Sequence, residues 1–453
     1  MSLFPKLFRT QLRLNMASGT ITMLLRMAIL LLSYPIYIRF LGFENYGIWV
    51  VLGTVLGTAQ LGELGIGEAM TKLVAEAYGK GDLDEIGRYR TASLVILSGS
   101  GLLLFVAVVV FREPIASLFN VTGDNRATII GILPYIGALS IYIFVVHIST
   151  ATLSGLGRMD LANYLELFGR VISLGLSIVL LWMNWGIIAL LVANASSYCL
   201  IHLGSAFLAW RIAGLPVVPR ATFSLASSRR LVHYGGGVLG ITLLSMLMAP
   251  FNNIVITRYT SLSSLAVYEI AHRMAGQIKT MLNPALRALM PEVSRLGAAE
   301  TPERQARIRA INLRVTRFVL LVAGSVYLVL LFGAEPILAL WLRRAFSGAL
   351  PTVFRILLTT SFISLLGGCA YNTLMGLGRV RDGFRAHLLA AATNIGVVIS
   401  ALVLWPPLTL TTVAYASLAA YAAGTLYLVL TMRALVFKPK ESVPAVSPVM
   451  VGT

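Results

Sequence analysis

The segment Thr152-Leu153-Ser154-Gly155-Leu156-Gly157-Arg158 returns as Thr373-Leu374-Met375-Gly376-Leu377-Gly378-Arg379, with six of seven residues identical and an offset of 221. A second match has nearly the same offset. Ile38-Arg39-Phe40, followed by Trp49, corresponds to Thr257-Arg258-Tyr259, followed by Tyr268, an offset of 219. Nearly equal offsets at two separate places indicate a duplicated unit of about 220 residues. The repeat therefore predicts a molecule built from two similar halves.

The composition excludes a soluble protein. Hydrophobic residues make up 57% of the 453 residues and charged residues 12%, and the mean hydropathy is +0.83. Soluble domains carry about 25% charged residues. The chain has too little charge to solvate the surface of a soluble protein of its size, so we expect a polytopic membrane protein.

A helix needs about 20 apolar residues to cross the bilayer core, and twelve such stretches are present. They lie at 17–38, 46–70, 91–111, 128–153, 162–182, 186–210, 231–256, 264–290, 315–334, 351–375, 386–405 and 408–432. Stretches of this length exclude an outer-membrane barrel. With six spans in each repeat, the sequence predicts an all-α membrane protein with twelve transmembrane helices in two parallel six-helix bundles.

These spans divide the chain into five parts. We expect a basic interfacial segment at 1–16, a first bundle at 17–210, a cytoplasmic linker at 211–230, a second bundle at 231–432 and a cytoplasmic tail at 433–453. The first segment has no convincing cleavage site after it, so we expect it to stay attached.

The distribution of cations predicts the orientation. With the N-terminus inside, 24 of the 36 Lys and Arg residues fall in inner segments and six in outer loops. This bias places both termini in the cytoplasm. It also explains most of the net charge of +18 without a nucleic-acid partner.

Six cations remain inside predicted spans, where each costs about 2.5–3.5 kcal/mol at the bilayer centre. They are Arg26, Arg170, Arg273, Lys279, Arg287 and Arg355. Two of them have an acid four residues away on the same helix face: Glu166 precedes Arg170, and Glu269 precedes Arg273. For these pairs, mutual neutralisation and a functional role both stay open.

Arg26 lies near the middle of the first span, with no acid on that helix. Two interpretations remain: a side chain that faces a cavity, or a structural bridge to Glu63 on the second span. Lys279 lies six residues after Arg273, and we expect the two to form one cationic stripe that lines water or cargo.

Several acids and one histidine are candidates for ion coupling or gating. They are Glu63, Glu68, Glu166, Glu269 and His147. A lone intramembrane histidine is also explained by a simple hydrogen bond. No catalytic residue, cofactor or metal site is predicted, because the sequence has no phosphate-binding loop and its two cysteines, Cys199 and Cys369, lie far apart.

Three stretches carry a family resemblance: FLGFENYGIW at 40–49, LGELGIG at 61–67 and VAEAYGKGD at 74–82. They resemble the start of polysaccharide flippases of the Wzx type. These flippases belong to the superfamily of multidrug, oligosaccharidyl-lipid and polysaccharide exporters (MOP), together with the MATE drug exporters and the lipid II flippase. The resemblance recurs at 149–170, 251–275 and 370–380.

The resemblance implies a V-shaped pair of bundles that works by alternating access in a bacterial inner membrane. The cargo would be a polyprenyl-pyrophosphate-linked oligosaccharide, moved from the cytoplasmic to the outer leaflet. Arg26, Arg170, Arg273 and Lys279 are then candidates to hold its pyrophosphate. Partners would be membrane lipids, a coupling H⁺ or Na⁺, and glycan assembly proteins such as a polymerase; a monomer suffices.

Two other functions stay open. A cation-coupled drug or metabolite antiporter of the MATE type is the alternative, although drug-exporting relatives usually have a carboxylate in the first span, where this chain has Arg26. A scaffold or a glycan-assembly enzyme is the third class. No short motif specifies the sugar of the cargo or the energy source.

Overall fold

The computed structural model describes residues 4–63, 65–217, 223–287, 289–297, 302–343 and 347–436. Every regular element in these ranges is helical. The predicted residues Pro219 and Arg220 of the linker, and the tail beyond residue 436, lie outside the described ranges.

Within the described residues the chain forms sixteen α-helices. They are α1 (Phe4–Ala59), α2 (Ile66–Lys80), α3 (Leu83–Val110), α4 (Arg112–Leu118), α5 (Gly123–Gly155), α6 (Met159–Trp182), α7 (Ile187–Ala213), α8 (Leu225–Tyr259), α9 (Leu262–Arg287), α10 (Leu289–Gly297), α11 (Pro302–Phe318), α12 (Gly324–Phe332), α13 (Ala334–Leu342), α14 (Ala349–Gly376), α15 (Val380–Leu404) and α16 (Leu410–Val436). A 3₁₀ turn at Gln60–Glu63 follows α1, and a π-helical turn at Val319–Ala323 joins α11 to α12.

Nine helices of the described residues are long and apolar enough to cross a membrane. The first of these holds two spans, because Gly42 interrupts α1 with φ 72° and ψ 173°, a conformation that favours glycine. The more polar helices α8 and α9 bring the total to twelve. The predicted all-α fold of twelve membrane helices is thus confirmed.

The repeated heptapeptide forms the same turn twice. Gly157 and Gly378 have φ of 82° and 75°, and the next residue donates its backbone N–H to the carbonyl five residues earlier: Arg158 to Leu153 at 3.3 Å, Arg379 to Leu374 at 2.9 Å. This is the Schellman arrangement that ends a helix. The motif therefore ends α5 and α14 in the same way, at equivalent points of the two halves.

The spans run between two ends of the molecule. The Gly42 end is the one at which Gly42 interrupts α1, and the Gly157 end is the one at which the turn at Gly157 follows α5. Within the first bundle α1 packs on α5 and α6, and α6 on α7. Within the second, α14 packs on α9 and α16, and α15 on α16. Helix α8 contacts both groups, because it packs on α2 and α3 as well as on α15.

The two bundles meet along a seam near the Gly42 end. Gly47 lies so close to the backbone of Leu262 that a Cβ atom would overlap its carbonyl. Beside it, Asn253 of α8 donates to Thr54 Oγ1 of α1 at 2.9 Å. Further out, Arg258 donates to the carbonyl of Ser117 at 3.3 Å. These polar contacts add to the apolar core that the two bundles share at this end.

The helices extend beyond several of the apolar stretches. Residues 4–16, predicted as an interfacial segment, are helical and continuous with the first spanning helix. Helices α10 and α11 occupy most of the predicted loop at 291–314.

Candidate functional site

A cavity of about 570 Å³ lies inside the first bundle. Helices α1, α5, α6 and α7 form its wall, and one side chain of α9, Arg273, completes it from the second bundle. The charged and titratable side chains that line it are Arg26, His147, Glu166, Arg170 and Arg273, with tyrosines among them. We name it the central cavity.

Arg26 lies at the boundary between α1 and α6. Its Nη1 is 2.8 Å from Glu166 Oε2, and its Nη2 donates to the carbonyl of Asn163 at 3.3 Å. Its Nε is buried without an acceptor. The alternative bridge from Arg26 to Glu63 is wrong. Helix α1 packs along α6, and this packing places Arg26 beside Glu166.

Arg170 lines the same cavity one helical turn after Glu166. Within the described residues, the salt bridge of Glu166 is with Arg26 and not with Arg170. One carboxylate therefore faces two guanidinium groups from neighbouring helices. The local excess of positive charge is available to an anion.

Glu63 pairs with a histidine instead. The 3₁₀ turn at Gln60–Glu63 follows α1, and His147 Nδ1 of α5 lies 2.9 Å from Glu63 Oε2. His147 itself lines the central cavity. Glu68, on α2, is exposed and lies outside the cavity lining.

Arg273 is the contribution of the second bundle. It forms an ion pair with Glu269, one turn earlier on α9. The carboxylate of Glu269 is buried, whereas half of the Arg273 side chain is exposed, and this exposed half faces the central cavity between Tyr34 and Tyr46. Glu269 thus holds Arg273 in place and leaves its outer face for a ligand.

Lys279 does not join the other three cations. It lies in a separate pocket of about 260 Å³ within the second bundle, where its Nζ donates to Ser364 Oγ at 2.6 Å and lies 5.5 Å from the centre of the Tyr421 ring. Six residues along an α-helix rotate a side chain by about 120° relative to the start. Arg273 and Lys279 consequently face different spaces, and the predicted common stripe is wrong.

The residues described contain no group of three or more His, Cys, Asp and Glu side chains that could hold a metal ion. Cys199 and Cys369 are free thiols. The arrangement holds charged groups in pairs around a polar space, which suits the binding of an anionic ligand.

Comparison with known proteins gives the family. Residues 13–297, more than half of the chain, match the model of the polysaccharide biosynthesis protein family. The chain belongs to that family. No curated protein sequence matches it.

Solved structures share the fold. A multidrug resistance MATE family transporter of the MOP superfamily, in an inward-facing conformation, aligns with 17% identity over 95% of this chain and 98% of its own, with a TM-score of 0.74. The lipid II flippase MurJ, in an inward closed conformation, aligns with 13% identity over 93% of this chain and 87% of its own, with a TM-score of 0.70.

A third neighbour is a MOP superfamily transporter from Pyrococcus furiosus, described as having a binding pocket of reverse polarity. It is 17% identical over 93% of this chain and 95% of its own, with a TM-score of 0.61. Family and fold together confirm the resemblance to Wzx-type flippases of this superfamily. The chain is a multi-pass membrane protein of the polysaccharide biosynthesis protein family and has the fold of these transporters.

The cavity of this polysaccharide biosynthesis protein also contains side chains that the sequence analysis did not select. Tyr34 and Tyr37 lie one turn apart before Gly42, and Tyr46 and Trp49 lie one turn apart after it; all four line the cavity. The spacing of three, which places both members of each pair on one helix face, was the available signal. Aromatic faces of this kind pack against sugar rings.

Proposed function

We propose that this transporter flips a polyprenyl-pyrophosphate-linked oligosaccharide from the cytoplasmic to the outer leaflet of a bacterial inner membrane. The Gly157 end is then cytoplasmic, as the cation bias favours. One observation carries the proposal: Arg26, Arg170 and Arg273 line one cavity together with a single carboxylate, Glu166. A pyrophosphate carries at least two negative charges, and guanidinium groups bind such anions through paired, charge-assisted hydrogen bonds.

The size and lining of the central cavity fit a head group of limited length. A volume of about 570 Å³ lies within the range of about 300–1,000 Å³ that holds a drug-sized ligand. The pyrophosphate and the sugars next to it match this volume, whereas a long polymer does not. Tyr37, Tyr198 and Trp49, which are half-buried at the cavity wall, supply faces and hydroxyl groups for these sugars.

The cations that line the central cavity come from both bundles, which supports alternating access. Arg26 and Arg170 belong to the first bundle and Arg273 to the second, so a pyrophosphate that contacts all three joins the bundles through its own charge. A ligand shifts a conformational equilibrium only by its different affinity for the two states. A cargo bound across the seam provides such a difference, since separation of the bundles breaks some of its contacts.

The test is flipping of a fluorescent polyprenyl-pyrophosphate oligosaccharide in liposomes. We expect wild-type protein to flip it, and Arg26→Ala and Arg273→Ala to lower the rate about tenfold or more, because each loses a hydrogen bond to a charged group worth about 1.5–3 kcal/mol. Arg287→Ala is the matched control: Arg287 lies on α9, like Arg273, but is exposed outside the cavity. Equal rates in all four proteins would contradict the proposal.

The alternative is a cation-coupled antiporter of drugs or metabolites. The pair Glu63–His147 favours it, since a carboxylate and an imidazole lie 2.9 Å apart beside the cavity and both residue types can carry a proton. Transport of a cationic dye that is lost in Glu63→Gln, with no flipping of the lipid-linked substrate by the folded wild type, would favour this function. A Glu63→Gln variant that transports the dye as fast as the wild type would count against it.

A further inference from the structure

A second and larger space lies on the seam between the bundles, near the Gly42 end. It measures about 970 Å³. Residues 35–43 of α1 and Ile178 of α6 form the wall on the side of the first bundle, and Trp341, Leu342 and Arg343, at the end of α13, form the other. We name it the seam pocket.

The seam pocket combines an apolar wall with two cations. Its wall includes Pro35, Ile38 and Trp341, and the cations are Arg39 and Arg343. Both arginines are exposed, and in the part of the chain that the structure describes neither forms a salt bridge. The chemistry is that of a site for a lipid with an anionic head group.

Two other arginines at the same end have protein partners. Arg126 forms an ion pair with Glu113, and Arg258 donates to the carbonyl of Ser117. Arg39 and Arg343 instead share one pocket whose lining residues include no carboxylate. An anion in that pocket would be attracted by both charges.

The backbone at Arg343 is also unusual. Its φ is 49° and its ψ is −114°, a conformation that costs a residue with a Cβ free energy and that glycine would adopt freely. The chain nevertheless has an arginine where α13 ends. The strained position directs a cation into the seam pocket.

The seam pocket and the central cavity adjoin each other. Tyr34 lines the central cavity and Trp341 lines the seam pocket, and their rings meet edge to face with centroids 6.0 Å apart. The linings of the two spaces therefore touch at this aromatic pair. A head group that leaves the central cavity toward the Gly42 end therefore meets Arg39 and Arg343 next.

We propose that the seam pocket is an exit site, in which Arg39 and Arg343 hold the pyrophosphate of the lipid-linked cargo on the outer side while the polyprenyl chain lies along the apolar wall. This inference rests on the proposed function. Two guanidinium groups match the charge of a pyrophosphate better than that of a phospholipid with a single phosphate diester. We therefore assign the site to the cargo and not to a bulk lipid.

The experiment counts bound ligands on the full-length protein in detergent by native mass spectrometry, with geranylgeranyl pyrophosphate as the probe. We expect the wild type to bind two molecules, one in each space. Arg39→Ala/Arg343→Ala should bind one, with affinity for the second lowered about tenfold or more, and Arg26→Ala/Arg273→Ala should keep the seam-pocket molecule. Arg112→Ala, which removes an exposed arginine at the same end outside the pocket, should bind two.

Two results would overturn the exit site: two bound molecules in Arg39→Ala/Arg343→Ala, or displacement of the seam-pocket probe by an equal concentration of phosphatidylglycerol. The charge-retaining variant Arg39→Lys/Arg343→Lys guards against misfolding and should bind more tightly than the alanine variant. Flipping in liposomes separates the two proposals. Wild-type protein that binds at the seam pocket without flipping contradicts the proposed function alone, and unchanged binding in the alanine variant of a flipping protein contradicts the exit site alone.

Discussion

Trp341 donates its indole N–H to the carbonyl oxygen of Leu31 at 3.0 Å, across the seam between the two bundles. The carbonyl is free because the residue four positions later on α1 is Pro35, which has no N–H to donate. The Leu31 carbonyl, which Pro35 leaves without a partner in α1, thus accepts a hydrogen bond from the second bundle. This hydrogen bond closes the seam within the membrane, where an unpaired carbonyl would be costly.

We predict that Trp341→Phe favours separation of the bundles at the Gly42 end. Loss of the donor removes about 0.5–1.5 kcal/mol of net stabilisation, which raises the ratio of open to closed molecules about two- to twelvefold. Electron spin resonance distances between labels at Thr122 and Thr409, exposed at this end of the two bundles, measure the shift in a variant lacking both native cysteines.

The matched control for this variant is Trp405→Phe. Trp405 is 72% exposed at the end of α15, so its substitution leaves the seam intact, and its distance distribution should match that of the parent. A Trp341→Phe distribution that is the same as the parent's would show that the hydrogen bond does not hold the seam.

The repeated turns give a prediction about stability. A Cβ on Gly155 would lie 2.7 Å from Val74 Cβ, and one on Gly376 would lie 2.7 Å from the backbone carbonyl of Met290. We expect both Gly→Ala variants to lower the free energy of unfolding by about 1–3 kcal/mol, the usual cost of overpacking. Gly376→Ala should cost more, because a backbone carbonyl moves less readily than the side chain of Val74.

Thermal unfolding of the detergent-solubilised protein measures both variants. Gly175→Ala and Gly396→Ala are the controls, since a Cβ at either position meets nothing within 4 Å; they should unfold at or above the wild-type temperature. If Gly155→Ala and Gly376→Ala unfold at the wild-type temperature, the close packing at the repeated turns does not contribute to stability.

The ion pair of Arg26 and Glu166 allows a test in which the two partners act in opposite directions. If the pyrophosphate competes with Glu166 for Arg26, Glu166→Gln should bind a polyprenyl pyrophosphate more tightly and Arg26→Ala more weakly, each by about tenfold. Isothermal titration calorimetry of the purified variants measures the affinity of each for the polyprenyl pyrophosphate. A purely structural bridge would instead weaken binding in both variants and lower both melting temperatures.

The sequence was sufficient for the fold and only partly so for the site. Apolar length identifies a span, and the Gly-Leu-Gly-Arg ending identifies a helix end, because both depend on local chemistry. The partner of Arg26 was not predictable, since it depends on which helices pack together: α6 brings Glu166, whereas Glu63 lies beside His147. The separation of Lys279 from Arg273 was predictable from helix geometry, because six residues along a helix turn a side chain to a different face.

The pair of Glu63 and His147 gives the last prediction. The two side chains lie 2.9 Å apart, so we expect them to act on one step of transport as a unit. Glu63→Gln and His147→Gln should each lower the flipping rate by a similar factor, because either substitution removes the same contact. The double variant should be no worse than the worse single variant, because one interaction is lost in all three. His387→Gln, on α15 and outside the central cavity, should keep the wild-type rate; effects of the two single variants that multiply in the double variant would show that Glu63 and His147 act independently.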